Sequence, residues 1–335
     1  MLLLALACDE CPEEGPARSW SCDGTGLTEP LPVCSEEDPC LDLLETYCMQ
    51  DQARISVSGE EPECAERSSW TDGDGTVRWW CEYPPEGDEA PLWIFVPGSG
   101  GTADGMEQLT NLRSLAEGEG VFLVSVQPRL LHWPTESNQD GTKHDTYHRD
   151  FGTNPDVAFY DHLIDDLVAR GAVDPARIWL TGWSNGGRFA ALYGVGRYET
   201  PTPGGNRVAA VANYSAGDPW AHLVEGDDCG ADRPSTSLPF MLVSRDCDVV
   251  TGSTDHFESF VEDGEHMTLG NDAEAWLGNL ESMGADTTWL LLDRKGREVE
   301  ACKRSCSMSR ALLNHVSWPT EHEAAMLTFL QEHSL

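Results

Sequence analysis

Ser184 stands in the string Gly182-Trp183-Ser184-Asn185-Gly186, a Gly-x-Ser-x-Gly pattern. The chemistry such a serine offers is nucleophilic attack on a carbonyl. The spacing has a physical reason. A nucleophile lifted out of a sharp turn needs small neighbours, and Gly182 and Gly186 leave that room. A helix beginning just after the serine would aim its free N–H groups at the developing oxyanion. Asn185 would supply one of those backbone N–H groups.

A serine needs a base, and the base needs an acid to orient it. With a nucleophile of this type the acid and then the base follow in chain order. Two acids, Asp246 and Asp248, follow the apolar run Phe240-Met241-Leu242-Val243, and either could serve. The base is expected in a loop before the last helix, where His315 stands in Leu313-Asn314-His315-Val316-Ser317-Trp318-Pro319. His322 and His333 lie in or beyond that helix, and His256 and His266 precede the last expected strand. A second oxyanion donor is expected from Val96-Pro97-Gly98-Ser99-Gly100-Gly101, a glycine-rich loop in which Ser99 offers its N–H. Trp133, Trp183, Trp220 and Trp318 stand in or near the same loops; Trp183 and Trp318, beside the serine and histidine motifs, are the substrate-binding candidates.

Strands and helices must alternate to place these loops together. Short apolar runs predict strands at Leu92–Val96, Val121–Val126, Ile178–Thr181, Phe240–Val243 and Thr288–Leu292, of the kind covered on both faces. Helical periodicity occupies Asp156–Arg170, ending at Gly171, and recurs in Asn271–Gly284 and Thr320–Gln331. The fold class is therefore α/β, with a mostly parallel central sheet and helices on both faces. Upstream, Asp72-Gly73-Asp74-Gly75 reads as a turn, since it lacks the spacing and distal Glu of a calcium loop. Cys64 and Cys81 flank that turn and could staple a hairpin.

These segments resemble a known family. From about residue 76 to the end, the chain is similar to the extracellular polyhydroxybutyrate depolymerase and feruloyl esterase group of α/β-hydrolases. The segment from Pro91 to Asp104 resembles that group's strand and oxyanion loop. Asp156 through Ile178 resembles its helix and Asp-Pro-x-Arg strand entry. Gly182-Trp183-Ser184-Asn185-Gly186-Gly187 resembles its Ser-Asn-Gly-Gly elbow. Ser244 to Val250 resembles its acid segment, and the resemblance selects Asp248 over Asp246. Asn314 to Pro319 resembles its Gly-His-x-Trp-Pro segment and selects His315. The resemblance implies an α/β-hydrolase fold, a Ser184–His315–Asp248 triad, an acyl-enzyme intermediate and no cofactor. It implies an ester substrate, polymeric or from the plant wall (feruloyl or acetyl). The chain departs from the pattern at Pro97, Ser99, Ser244-Arg245 and Arg188, which leaves the triad intact and opens the question of which ester is cut.

Composition bounds the rest. Hydrophobic residues are 40% of the 335, enough for one large packed domain with a small appendage. The formal net charge of −37 excludes nonspecific nucleic-acid binding, which needs Lys and Arg, and disfavours anionic lipid. Residues 1–7 read as a signal segment, residues 8–50 as a Cys-rich extension holding six of twelve cysteines, and residues 51–335 as the catalytic domain. Ala5-Leu6-Ala7-Cys8 fits a secretory cleavage site and also resembles a lipobox, making Cys8 a lipidation candidate. An extracellular or cell-surface protein follows, touching membrane only through that anchor. Twelve cysteines in an exported chain read as disulfides. Cys302-x-x-x-Cys306 lacks a second close pair, so no metal site is expected. Two other functions compete with the esterase: a peptidase of the same fold, which would normally carry a gating domain, and a non-catalytic surface lipoprotein.

Overall fold

A strand covered on both faces must send alternate apolar side chains to two different cores. The strand Ala90–Val96, β4 below, does this: Leu92, Ile94 and Val96 join one buried cluster, and Trp93 and Phe95 join another on the opposite face. The structure, a computed structural model, describes residues 55–57, 60–132, 141–146, 151–198, 206–220, 234–245, 248, 250–251, 273–293 and 308–335. Cys8, the Cys-rich extension 8–50, Trp133, Cys229, Asp246, Cys247, Cys302 and Cys306 lie outside the described residues.

The elements run in the order β1 (Ile55–Val57), β2 (Arg67–Thr71), β3 (Val77–Tyr83), β4 (Ala90–Val96), α1 (Met106–Leu109), α2 (Leu112–Glu119), β5 (Phe122–Val126), β6 (Arg129–His132), β7 (Gly141–Lys143), α3 (Pro155–Ala169), β8 (Val173–Gly182), α4 (Asn185–Gly196), β9 (Ala210–Tyr214), β10 (Phe240–Arg245), α5 (Ala273–Ser282), β11 (Thr287–Leu292), α6 (Met308–Val316), a 3-10 turn (Thr320–His322) and α7 (Glu323–Gln331). All five expected strands are present, with shifted ends. The strand β9 was not among those expected; its Ala-rich sequence carries little strand propensity, and burial between two neighbours decides it.

Among the described residues, the main sheet has the order β2-β3-β5-β4-β8-β9-β10-β11. From β5 through β11 every pairing is parallel, while β3 runs antiparallel to β5 and to β2. One face carries Val157 and Phe159 of α3, Phe189 of α4 and Trp276 of α5. The other carries Met106 of α1, Leu112 of α2 and Met326 and Leu327 of α7. Each large apolar side chain so buried contributes about 1.5–3 kcal/mol. A second sheet joins β1, β6 and β7.

Local signals explain the element ends that matter for the site. Asn154 caps α3, its side chain accepting from the N–H groups of Asp156 and Val157, with Pro155 in the first turn. Between β2 and β3, Asp72 and Asp74 both accept from the Thr76 N–H at 2.9 and 2.8 Å, which makes the Asp-Gly-Asp-Gly string a turn. The expected Cys64–Cys81 disulfide is formed and ties the approach to β2 onto β3.

A buried ion cluster joins β3, β6 and α3. Arg78 meets Asp156 at 2.5 Å, Arg129 lies 3.5 Å from the same carboxylate, and the Asp145 N–H donates to it at 2.6 Å. Burial would raise the Asp156 carboxyl, but Arg129 and Arg78 overcome that and hold it well below the usual carboxylate range. Losing either partner of such a pair leaves an uncompensated buried charge, so the cluster fixes how these elements meet.

Candidate active site

Parallel strands that end together form a crevice at their carboxyl edge, and three of the sequence-selected polar residues stand at such ends. Ser99 follows β4, Ser184 follows β8, and Asp248 follows β10. His315 comes from the other side of the crevice, and its position differs from the expected loop. It occupies the last turn of α6.

Ser184 has φ 56° and ψ −124°, a conformation that costs a non-glycine residue about 1–3 kcal/mol. The surroundings over-determine it. The Trp183 N–H donates to Val96 O on one neighbouring strand, and the Ser184 N–H donates to Tyr214 O on the other, both at 3.2 Å. Asn213 of β9 clamps the turn: its Oδ1 accepts from the Gly182 N–H at 2.8 Å and its Nδ2 donates to Gly187 O at 2.6 Å. The glycines are obligatory for packing. A Cβ on Gly186 would stand 2.2 Å from the carbonyl oxygens of Val96 and Pro97, and one on Gly182 would stand 2.4 Å from the Gly187 Cα.

The functional atoms then meet. Ser184 Oγ lies 2.8 Å from His315 Nε2. His315 Nδ1 lies 3.4 Å from Asp248 Oδ1. Asp248 is buried, and its Oδ1 also accepts from the Val250 and Thr251 N–H groups at 2.7 and 3.2 Å. Ser215, at the end of β9, stands beside both, its Oγ 2.6 Å from Asp248 Oδ2 and 2.5 Å from His315 Nδ1. The His315 segment is held from behind. Trp183 Nε1 donates to His315 O at 2.9 Å, and the Tyr214 hydroxyl donates to Asn314 O. Arg245 donates to Ser317 O and Asp293 O and pairs with Glu321 at 3.1 Å.

Ser184 and His315 open onto a cavity of about 270 Å3, bordered also by Phe95, the loop Pro97 to Thr102, Met106, Leu109, Thr110, Trp183 and Val316. Among the described residues, His315 is the one titratable side chain on that wall. Ser99 lies on the wall, and Asn185 opens α4, where the first N–H groups have no intrahelical acceptor. Trp183 borders the cavity. Trp318 is buried and packs against Phe95, Trp183 and Tyr214 with ring centroids 5.5–5.8 Å apart, behind the wall. Trp220 packs against Trp276 in the core.

Ser215, Asn213 and His144 escaped the reading of the sequence. Asn213 follows the short run Val208 to Ala212, whose alanines carry little strand propensity. No local pattern marks Ser215 itself. His144 is buried, and its backbone N–H donates to the Asn185 side chain at 2.8 Å. Among the described residues, no group of three or more His, Cys, Asp or Glu side chains is placed to hold a metal ion.

Comparison with known proteins agrees with this architecture. No family model matches the chain. A protein of Nocardia uniformis subsp. tsuyamanensis, named "Putative esterase NocK", is 29% identical over 106 residues, which is 32% of this chain and 28% of that protein; the match thus spans little more than a quarter of that relative's length. Among solved structures, a thermostable esterase superposes with a TM-score of 0.50 at 17% identity, over 81% of this chain and 63% of its own. Esterase 2 of Thermogutta terrifontis, in its apo form, gives 0.50 at 14% identity, over 82% and 96%. The chain has the α/β-hydrolase fold.

Proposed function

We propose that this protein is a carboxylic ester hydrolase in which Ser184 is the nucleophile, His315 the general base and Asp248 the acid that supports it. The observation that carries the reading is the 2.8 Å contact between Ser184 Oγ and His315 Nε2 at the mouth of an apolar cavity. In the reaction, His315 Nε2 takes the Ser184 proton as Oγ bonds to the ester carbonyl carbon. The backbone N–H groups of Ser99 and Asn185 hold the resulting oxyanion. Collapse of the tetrahedral intermediate expels the alcohol, which takes its proton from His315. Water, deprotonated by His315, then releases the acid and restores Ser184.

The cavity wall favours an uncharged acyl group, because Phe95, Met106, Leu109, Trp183 and Val316 line it and, among the described residues, no carboxylate or guanidinium does. A polymeric or plant-wall ester, as in the polyhydroxybutyrate depolymerase and feruloyl esterase group, suits the rim. Leu109 and Val316 at the mouth are 54% and 56% exposed, and Leu312 and Leu313 of α6 add 46% and 44%. Export, with or without acylation of Cys8, belongs to the same reading; the Cys64–Cys81 disulfide supports it. The named esterases among the similar proteins support the reaction class.

The test is hydrolysis of p-nitrophenyl acetate by the wild type and Ser184→Ala. The expected loss is at least about 10³-fold in kcat. Equal inertness of both across short acyl esters would overturn the reading. A parallel assay on hydroxybutyrate oligomers, methyl ferulate and acetylated xylan then identifies the ester class.

A further inference from the structure

The link between His315 and Asp248 is poor when taken alone. At 3.4 Å, Nδ1 and Oδ1 are too far apart for a good hydrogen bond. Asp248 Oδ1 is moreover engaged by two backbone N–H groups, those of Val250 and Thr251. A base that is to accept from Ser184 through Nε2 must carry its proton on Nδ1, and that proton needs an acceptor. The nearer oxygen belongs to Ser215, at 2.5 Å.

A hydroxyl has one proton to give and lone pairs to receive. Ser215 Oγ can therefore accept the Nδ1–H of His315 while donating its own proton to Asp248 Oδ2, 2.6 Å away. Both bonds then point the way the base requires, and no proton is left over. Nothing about this serine is adaptable. It is 0% exposed, its backbone N–H donates to Val243 O at 2.9 Å, and its φ is 50°, in the left-handed region. A strained, buried residue whose side chain joins two polar groups is a candidate for function before it is a candidate for stability.

We propose that Ser215 is a positioning residue that fixes the Nδ1–H tautomer of His315 and carries the influence of Asp248 to it, so that the working chain is Ser184–His315–Ser215–Asp248. The inference rests on the hydrolase reading above. The bridge makes the hydroxyl, and not direct contact with the carboxylate, the group that orients the imidazole. Asp248 acts at one remove, by holding the hydroxyl proton and by its charge.

The test uses four proteins: the wild type, Ser184→Ala, Ser215→Ala and Ser215→Gly. Glycine matters because it tolerates φ 50° without a Cβ penalty, so it removes the hydroxyl while relieving the backbone. Three readouts are taken: kcat and KM on p-nitrophenyl acetate, the thermal midpoint, and the low-field proton resonance of the imidazole N–H. Both Ser215 variants should lose about ten- to a hundredfold in kcat with KM within about twofold, a smaller loss than the ~10⁴ seen when a triad acid is altered. Ser215→Gly should melt close to the wild type, and the low-field resonance should move or vanish in it. A Ser215→Gly protein that keeps more than half of the wild-type kcat overturns the inference. So does one that fails to fold, which would make Ser215 structural. If the wild type proves no more active than Ser184→Ala, the hydrolase reading fails by itself; a resonance unchanged by Ser215→Gly then also removes the bridge, and one that shifts retains it as geometry.

Discussion

Asn185 grips the backbone of His144 with both ends of its side-chain amide. Its Oδ1 accepts from the His144 N–H at 2.8 Å, and its Nδ2 donates to His144 O at 3.1 Å. His144 is itself immobilised: it is buried, its Nε2 is 3.0 Å from the Tyr160 hydroxyl, and its ring stacks on Phe189 of α4. The residue whose N–H is assigned to the oxyanion is thus anchored to the core. Asn185→Ala keeps that N–H but frees its side chain's hold. The expected result is a loss of about 1–3 kcal/mol from the unpaired His144 peptide, with kcat down about tenfold. Urea melts and steady-state kinetics on p-nitrophenyl acetate check both parts.

His144 and Asp72 make opposite demands on pH. Burial, reinforced by Arg78 and Arg129 and only partly offset by Asp156, lowers His144 from 6.5 to about 4. Between those values the unfolded chain binds the extra proton, so stability falls as the pH falls. Burial, with Asp74 beside it, raises Asp72 from 3.8 to about 6. There the native chain binds the extra proton, so stability rises as the pH falls. The two nearly cancel in the wild type. Asp72→Asn keeps the acceptor for Thr76 and removes the compensation. From pH 7 to 5 that variant should lose about 2 kcal/mol, against less than about 1 kcal/mol in the wild type. Denaturant titrations at the two pH values measure the difference, and equal slopes would refute it.

Arg245 stands where the chain departs from the pattern it resembles, and the structure gives it a task. It is buried and ties β10 to Ser317 O and Glu321, on the segment that carries His315, and to Asp293 O, just past β11. Arg245→Met fills similar space but donates nothing. It should cost about 2–3 kcal/mol and lower kcat several-fold with KM little changed. Thermal melts beside kinetics separate the two effects. An unaltered kcat would show that His315 is held without Arg245.

The leucines of α6 offer a test of substrate form. Leu312 and Leu313 are half exposed and do not border the cavity that holds Ser184. Replacing both by Ser should leave hydrolysis of a soluble p-nitrophenyl ester within about twofold. Adsorption to a polyester film should fall several-fold, because apolar area no longer leaves water on docking. Co-sedimentation with polymer granules reads this directly. Undiminished adsorption would place the docking surface elsewhere.

What could be read along the chain was whatever chemistry is local. The strand, turn and helix around Ser184 are contiguous, so the need for small neighbours is written at Gly182 and Gly186. The Cys64–Cys81 staple is equally local, since both cysteines flank one turn. Asp248 and His315 were reachable because chain order and resemblance select them. Tertiary structure alone decided how His315 is held. Ser215 lies 100 residues from His315 in sequence and 33 from Asp248, at the end of a strand of weak propensity. The pairing of β9 between β8 and β10 brings the three together. The same holds for Asn213, Arg245 and the Asn185–His144 grip. Each is a polar side chain that finds its partner across the fold, where the meeting depends on register and crossing geometry. Periodicity reports which face a residue takes within its own element, and it carries no information about which distant atom it will face.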